Sequence, residues 1–202
     1  DTVMDHPAGP LRLARAHFRA LSQEIRLRLL CLMIARVTGT ASRPRLRKLT
    51  GLDDALMGER GCHQALAGGR FETDAEMIFC WREPGRTPAE TLIGPVASGL
   101  WDRRYRFRVA DGEEGRNSEL CLGPLSAAPT SAAQIDWPEG WPRGAFSSTP
   151  ALWSEGNAVR IPFLATEDGL GSFRRCEGIE LERLAFRGTL TANLTDEFGE
   201  RP

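Results

Sequence analysis

Between Gly99 and Val109 apolar and charged residues alternate, and no other stretch limits the fold as much. The run reads Gly-Leu-Trp-Asp-Arg-Arg-Tyr-Arg-Phe-Arg-Val. In an extended strand successive side chains point to opposite faces. Trp101, Tyr105, Phe107 and Val109 then share one side, with Arg103 as the single misfit, while Asp102, Arg104, Arg106 and Arg108 share the other. A period of two with aromatic enrichment predicts a half-buried strand over 100–109. Its outer arginines are either solvated charges on a sheet or part of a surface that meets phosphate.

The same texture begins near Gly69 and continues to the end. Gly69–Thr73 and Glu76–Trp81 read as a hairpin turning at Thr73–Ala75, and Glu83-Pro84-Gly85 ends it. Further strands are expected over Ser118–Leu122, over Ala151–Trp153 paired with Ala158–Phe163, and over Ile179–Phe186. An acidic, glycine-bearing turn spans 111–116, an acidic loop follows Ala165, and the last dozen residues read as frayed. Trp137 and Trp141, set among prolines, suit plugging a small β core better than stacking on bases.

Ahead of Gly69 the pattern is helical. Leu11, Ala14, Phe18 and Leu21 fall at helical spacing, so Leu11–Ala20 is expected as a helix. Ser22 caps a second helix reaching about Val37, and Gly39 stops it. Ile25, Leu29 and Leu32 continue the apolar stripe, while Leu27, Leu30, Met33 and Ile34 widen it, which predicts burial on more than one side. A third helix runs from Pro44 to about Met57. Arg43, Arg45, Arg47 and Lys48 crowd its start, where a helix prefers negative charge, and cations so placed are either an ordinary solvated cluster or a site for an external anion such as RNA phosphate. The fold class is therefore α+β: an N-terminal helical subdomain over 1–60 with about three helices, then a mostly antiparallel β domain over 61–202.

Charge and thiol usage narrow the function. Up to Ala110 there are 18 basic and 12 acidic residues, and after it 8 and 15, so the net −1 hides a basic front half, a weak pointer to nucleic acid. Lys48 is the only lysine. Five cysteines at 31, 62, 80, 121 and 176 lack metal-ligand or redox spacing, and reduced thiols in a cytoplasmic protein are expected. His6, His17 and His63 are scattered, with no acid or second histidine at ligand spacing. No Walker loop, dinucleotide fingerprint or Gly-x-Ser-x-Gly elbow is present. No apolar run is long enough for a bilayer, and no signal peptide is expected. Neither a metal nor a catalytic set of residues is expected in this chain, which disfavours an independent small hydrolase. A non-catalytic protein–protein interaction module stays open.

Several stretches together resemble one family. Leu21-Ser22-Gln23-Glu24-Ile25-Arg26-Leu27-Arg28-Leu29-Leu30 is similar to the helix that follows the catalytic domain in tRNA(Ile)-lysidine synthetases of the alphaproteobacterial type. Pro44-Arg45-Leu46-Arg47-Lys48-Leu49 resembles the next helix, and Gln64–Phe71 a Thr-Leu-Gly-Gly-Cys pattern with Ala-Gly-Gly here. Arg82-Glu83-Pro84 matches the Arg-Glu pair that ends the following strand, and Trp101–Phe107 resembles a Trp-Asp-Gly-Arg-Phe pattern. Pro150–Trp153 and Val159–Pro162 resemble the closing hairpin. The resemblance spans about residues 20–165.

It implies a parent ligase that uses ATP and Mg to attach lysine to the wobble cytidine of an isoleucine tRNA. The family's Ser-Gly-Gly-x-Asp-Ser nucleotide loop does not occur here. The chain is then expected to be the tRNA-binding, C-terminal portion, non-catalytic and cofactor-free by itself. Its partners would be tRNA and the enzyme's own N-terminal catalytic domain, with no membrane role and homodimer formation left open. Expected RNA-binding residues are Arg26, Arg28, Arg43, Arg45, Arg47 and Lys48 on the helices, and Arg82, Arg104, Arg106 and Arg108 on the β part.

Overall fold

A computed structural model describes residues 3–41, 43–93, 98–109, 120–129, 135, 137–154, 159–164, 173–176 and 179–184. The fold is α+β, with antiparallel sheets making up most of the second part. A five-stranded sheet lies at the centre. Its strands are β1 (Val3–Asp5), β2 (Leu11–Ala14), β3 (His63–Leu66), β4 (Gly69–Thr73) and β5 (Met77–Arg82), in the spatial order β1-β2-β5-β4-β3. Three helices cover one face: α1 (Arg15–Ala20), α2 (Gln23–Thr38) and α3 (Leu46–Met57). Two further sheets follow. One pairs β6 (Thr91–Leu92), β9 (Cys121–Pro124) and β10 (Pro150–Trp153). The other pairs β7 (Ser98–Trp101), β8 (Tyr105–Val109), β11 (Phe173–Cys176) and β12 (Ile179–Arg183).

β5 explains why the chain needs both halves. Ile78 and Cys80 point into the core beneath the helices, with Phe18, Leu30, Ile34, Leu52 and Phe71. Phe79 and Trp81 point into a second core with Tyr105, Phe107, Leu122, Phe146 and Leu181. A strand buried on both faces reads as a continuous apolar run, as Met-Ile-Phe-Cys-Trp does. The expected boundary near residue 60 falls inside this shared sheet, because β2 pairs directly with β5 and the helices pack on both.

The stretch over 11–20 divides. Leu11–Ala14 is a strand, with Leu11 and Leu13 buried at 2% and 1% exposure, and only Arg15–Ala20 is helical. Apolar residues at 11, 14 and 18 satisfy a helical period, but β1 and β5 flank residues 11–14 and supply ladder partners on both sides. Tertiary pairing outweighs local periodicity here.

α2 ends where expected. Gly39 takes a left-handed φ of 67° and its N–H bonds to Ala35 O. Its buried face is Leu30, Met33, Ile34 and Val37. Ile25 and Leu32 remain 45% and 42% exposed, so among the described residues the helix is buried on one side and not on two.

The alternation over 99–109 proves to be a hairpin. β7 and β8 pair antiparallel with Trp101 opposite Tyr105 and Gly99 opposite Phe107, and residues 102–104 connect them. Asp102 and Arg103 take left-handed φ of 48° and 57°. Cross-strand partners share a face. A connection that sets residue 101 against 105 spans an even number of positions, so the odd-numbered residues stay on one side across the turn. Trp101, Tyr105, Phe107 and Val109 are buried as the pattern requires.

The hairpin β4–β5 matches expectation. β3 was not signalled by the sequence pattern, because its His-Gln-Ala is exposed and weakly apolar; it joins β4 through Ala67 and Gly68, both at positive φ, as a two-residue hairpin turn demands. β10 meets the next segment at one bridge, Leu152 with Arg160. The expected turn over 111–116, and the ends of the Ser118–Leu122 and Ile179–Phe186 strands, lie partly or wholly outside the described residues. β11 occupies part of what was read as loop.

Candidate nucleic-acid interface

The expected arginines separate into three environments. The first is interior. Arg26 on α2 makes a bidentate pair with Asp53 on α3, 2.7 Å at Nε and 2.9 Å at Nη2, and donates to Leu21 O at 2.8 Å. The Asp53 side chain is fully buried. Its hydrogen bond holds the Arg26 guanidinium above its ordinary pKa. This pair ties two helices together and offers nothing to a ligand.

Arg82 and Arg104 are interior too. Asp102 sits between them, 3.1 Å from Arg82 Nη2 and 2.7 Å from Arg104 Nη2. Arg104 also donates to Ser148 O at 2.8 Å, and Ser148 Oγ donates to Arg82 O at 3.2 Å. Burial pushes the Arg82 pKa down, opposed by Asp102 and reinforced by the Arg104 charge beside it. The cluster links the end of β5, the β7–β8 turn and the segment before β10. Arg104 is only 3% exposed, so it does not stand on the outer face with Arg106 and Arg108. The reason is the turn: position 104 lies in the connection, and its guanidinium folds back onto Asp102.

A matching cluster was not foreseen. Arg183 at the end of β12 reaches Asp5, His6 O and, at 3.2 Å, Gly9 O. Arg36 on α2 pairs with the same Asp5 at 2.6 Å and donates to Leu184 O at 3.0 Å. Burial lowers the Arg183 pKa. The 6–10 turn also accepts Tyr105 Oη and Thr149 Oγ1 on Ala8 O, at 2.8 and 3.0 Å. No spacing pattern announces such contacts, because the partners lie at opposite ends of the chain.

The second environment is exposed but answered by carboxylates. Arg106 pairs with Glu182 across β8 and β12 at 3.0 Å. Arg108 stands in register with Glu180 on the same neighbour. Arg28 pairs with Glu24 one helical turn away. Of the three arginines expected on this face two remain there, each in register with a glutamate of β12.

The third is the approach to α3. Arg43, Arg45, Arg47 and Lys48 are all exposed. Arg45, Arg47 and Lys48 make no side-chain hydrogen bond or ion pair among the described residues. Arg45 is the N-cap, no side chain caps the helix, and its first turn holds no acidic residue. Unbonded N–H groups and the positive end of the macrodipole add to the side-chain charge. Of the ten expected residues, these four form the one concentrated positive surface among the described residues.

Among the described residues, no three His, Cys, Asp or Glu side chains converge to hold a metal ion, and the single lysine projects from an exposed helix start. Among the described residues no helix is long and apolar enough to cross a membrane. No protein-family model, no curated protein and no solved structure matches the chain.

Proposed function

We propose that this chain binds tRNA through its phosphate backbone, as the tRNA-positioning portion of a cytoplasmic, ATP-dependent tRNA(Ile)-lysidine synthetase. The chemistry belongs to the partner catalytic domain, and this chain fixes where the RNA lies. The observation that carries the reading is the exposed cation group Arg43, Arg45, Arg47 and Lys48, set against the local preference of a helix start. Phosphate contacts of this kind fix register and orientation and carry little sequence information. The ordered motif resemblance supplies the particular RNA.

The test is fluorescence anisotropy with isoleucine tRNA at 50 and 200 mM salt. Binding whose affinity falls steeply with salt is expected, since each neutralised phosphate releases counterions. Absent or salt-independent binding defeats the reading. One observation favours a protein partner instead: Ile25 and Leu32 stand exposed on the outer face of α2. A partner captured through that face, with no RNA bound, would favour the interaction module.

A further inference from the structure

Arg103 is the residue that the alternation left over, and no role above uses it. It occupies the tip of the β7–β8 turn, is exposed, and makes no side-chain hydrogen bond or ion pair among the described residues. We infer that Arg103 is a phosphate-binding residue of the same RNA surface, carried to the approach of α3 by the turn. The inference rests on the tRNA reading and names a contact from a part of the chain that reading does not use.

Its position follows from packing. A Cβ placed on Gly39 would lie 2.9 Å from Arg103 O and 3.1 Å from Arg103 Cβ, so the turn tip rests on the end of α2. Arg43 follows Gly39 by four residues, and four residues of fully extended chain span at most about 14 Å. Arg103 therefore rests on the residue from which the main chain sets out toward Arg43, though the two arginines are sixty residues apart in sequence. Phosphates recur every few ångström along a nucleic-acid strand, so neighbouring cations can each meet one.

The neighbouring charges leave Arg103 available. The Asp102 carboxylate is turned inward between Arg82 and Arg104. Glu83 is paired with Arg86, and Asp5 with Arg36 and Arg183. The same inward pairing of Asp102 clamps the turn, so Arg103 is presented from an ordered backbone at its left-handed φ of 57°. Arg106 and Arg108 cannot substitute for it, because they face the β12 glutamates.

The experiment uses the 202-residue chain and isoleucine tRNA over a salt series. Arg103→Gln removes the charge and keeps the length. Arg103→Gly also removes it and suits the positive φ, so it keeps the question answerable if the glutamine variant folds poorly. Each is compared with a triple variant, R45Q/R47Q/K48Q, and with Arg106→Gln. Losing one contact should shrink the 50-to-200 mM fall in affinity by about threefold. If both Arg103 variants do this and Arg106→Gln does not, the inference stands. If the triple variant weakens binding but both Arg103 variants keep the wild-type salt slope, the inference falls and the tRNA reading survives. If the wild type shows no salt-dependent tRNA binding, or is retained by an acidic peptide and not by tRNA, both fall together.

Discussion

The arginines gathered around Asp102 and Asp5 and the arginines ahead of α3 are one side chain in two settings. Arg82 and Arg104 share Asp102, and Arg183 and Arg36 share Asp5. Each cluster holds two cations and one carboxylate, with backbone carbonyls completing the coordination. Taking such charges out of water is expensive and is offset only by good geometry. At the start of α3, Arg45, Arg47 and Lys48 keep their water, make no side-chain hydrogen bond or ion pair among the described residues, and cost the fold little. Arginine content therefore says little about RNA binding until burial sorts it.

That contrast can be broken at several points. The largest effect is expected from Asp102→Asn, which leaves the buried Arg104 guanidinium and the half-buried Arg82 guanidinium without their anion. It should cost about 3–5 kcal/mol of stability, read from a urea midpoint, with tRNA affinity per folded molecule unchanged. Loss of affinity without loss of stability would move the cluster into the binding surface. The triple variant R45Q/R47Q/K48Q is the mirror image: the salt slope for tRNA should fall by about three while stability stays within about 0.5 kcal/mol. A large drop in stability would show those cations to be structural.

Gly39→Ala tests the junction between the regions. The new methyl would meet the Arg103 carbonyl at a backbone of φ 67°, and a cost of about 1–3 kcal/mol is expected in thermal unfolding. Titration supplies a smaller effect with a definite sign. Burial raises the pKa of Cys80 and of Tyr105, so the folded state holds their protons longer than the unfolded chain does. Their contribution is complete below the ordinary values of 9.0 and 10.0 and is lost as pH rises beyond them, at about 1.4 kcal/mol per unit per group. Urea midpoints from pH 8 to 10.5 should decline only at the alkaline end, and less steeply in Tyr105→Phe. The smallest effect is the Arg106–Glu182 pair, 59% and 43% exposed, for which a double-mutant cycle should give about 0.2–1 kcal/mol, falling with salt.

The sequence disclosed whatever depended on near neighbours. The end of α2 at Gly39, the β4–β5 hairpin and the inward set Trp101, Tyr105, Phe107 and Val109 follow from period and turn chemistry. It concealed what depended on partners far along the chain. Leu11–Ala14 satisfies helical spacing and becomes a strand because β5 needs a neighbour. The turn at 102–104 is invisible to a parity argument, since it returns the chain in phase. Arg26, Arg82 and Arg104 looked like Arg45 and Arg47 until Asp53 and Asp102 were placed beside the first three. The cation group ahead of α3 was legible because its signal, positive charge at a helix start, is local.

The Asp5–Arg183 contact joins residues 178 positions apart. A ribosome adding about 5–20 residues each second makes Arg183 roughly 9–36 s after Asp5. Through that interval the first strand can pair with β2, and after residue 82 the central sheet can close, but the 6–10 turn still lacks Tyr105, Thr149 and Arg183 in succession. The segment over 3–10 is thus the last of the central sheet's surroundings to be fully secured. A nascent chain stalled before residue 183 should expose β1 to a protease that the finished protein resists.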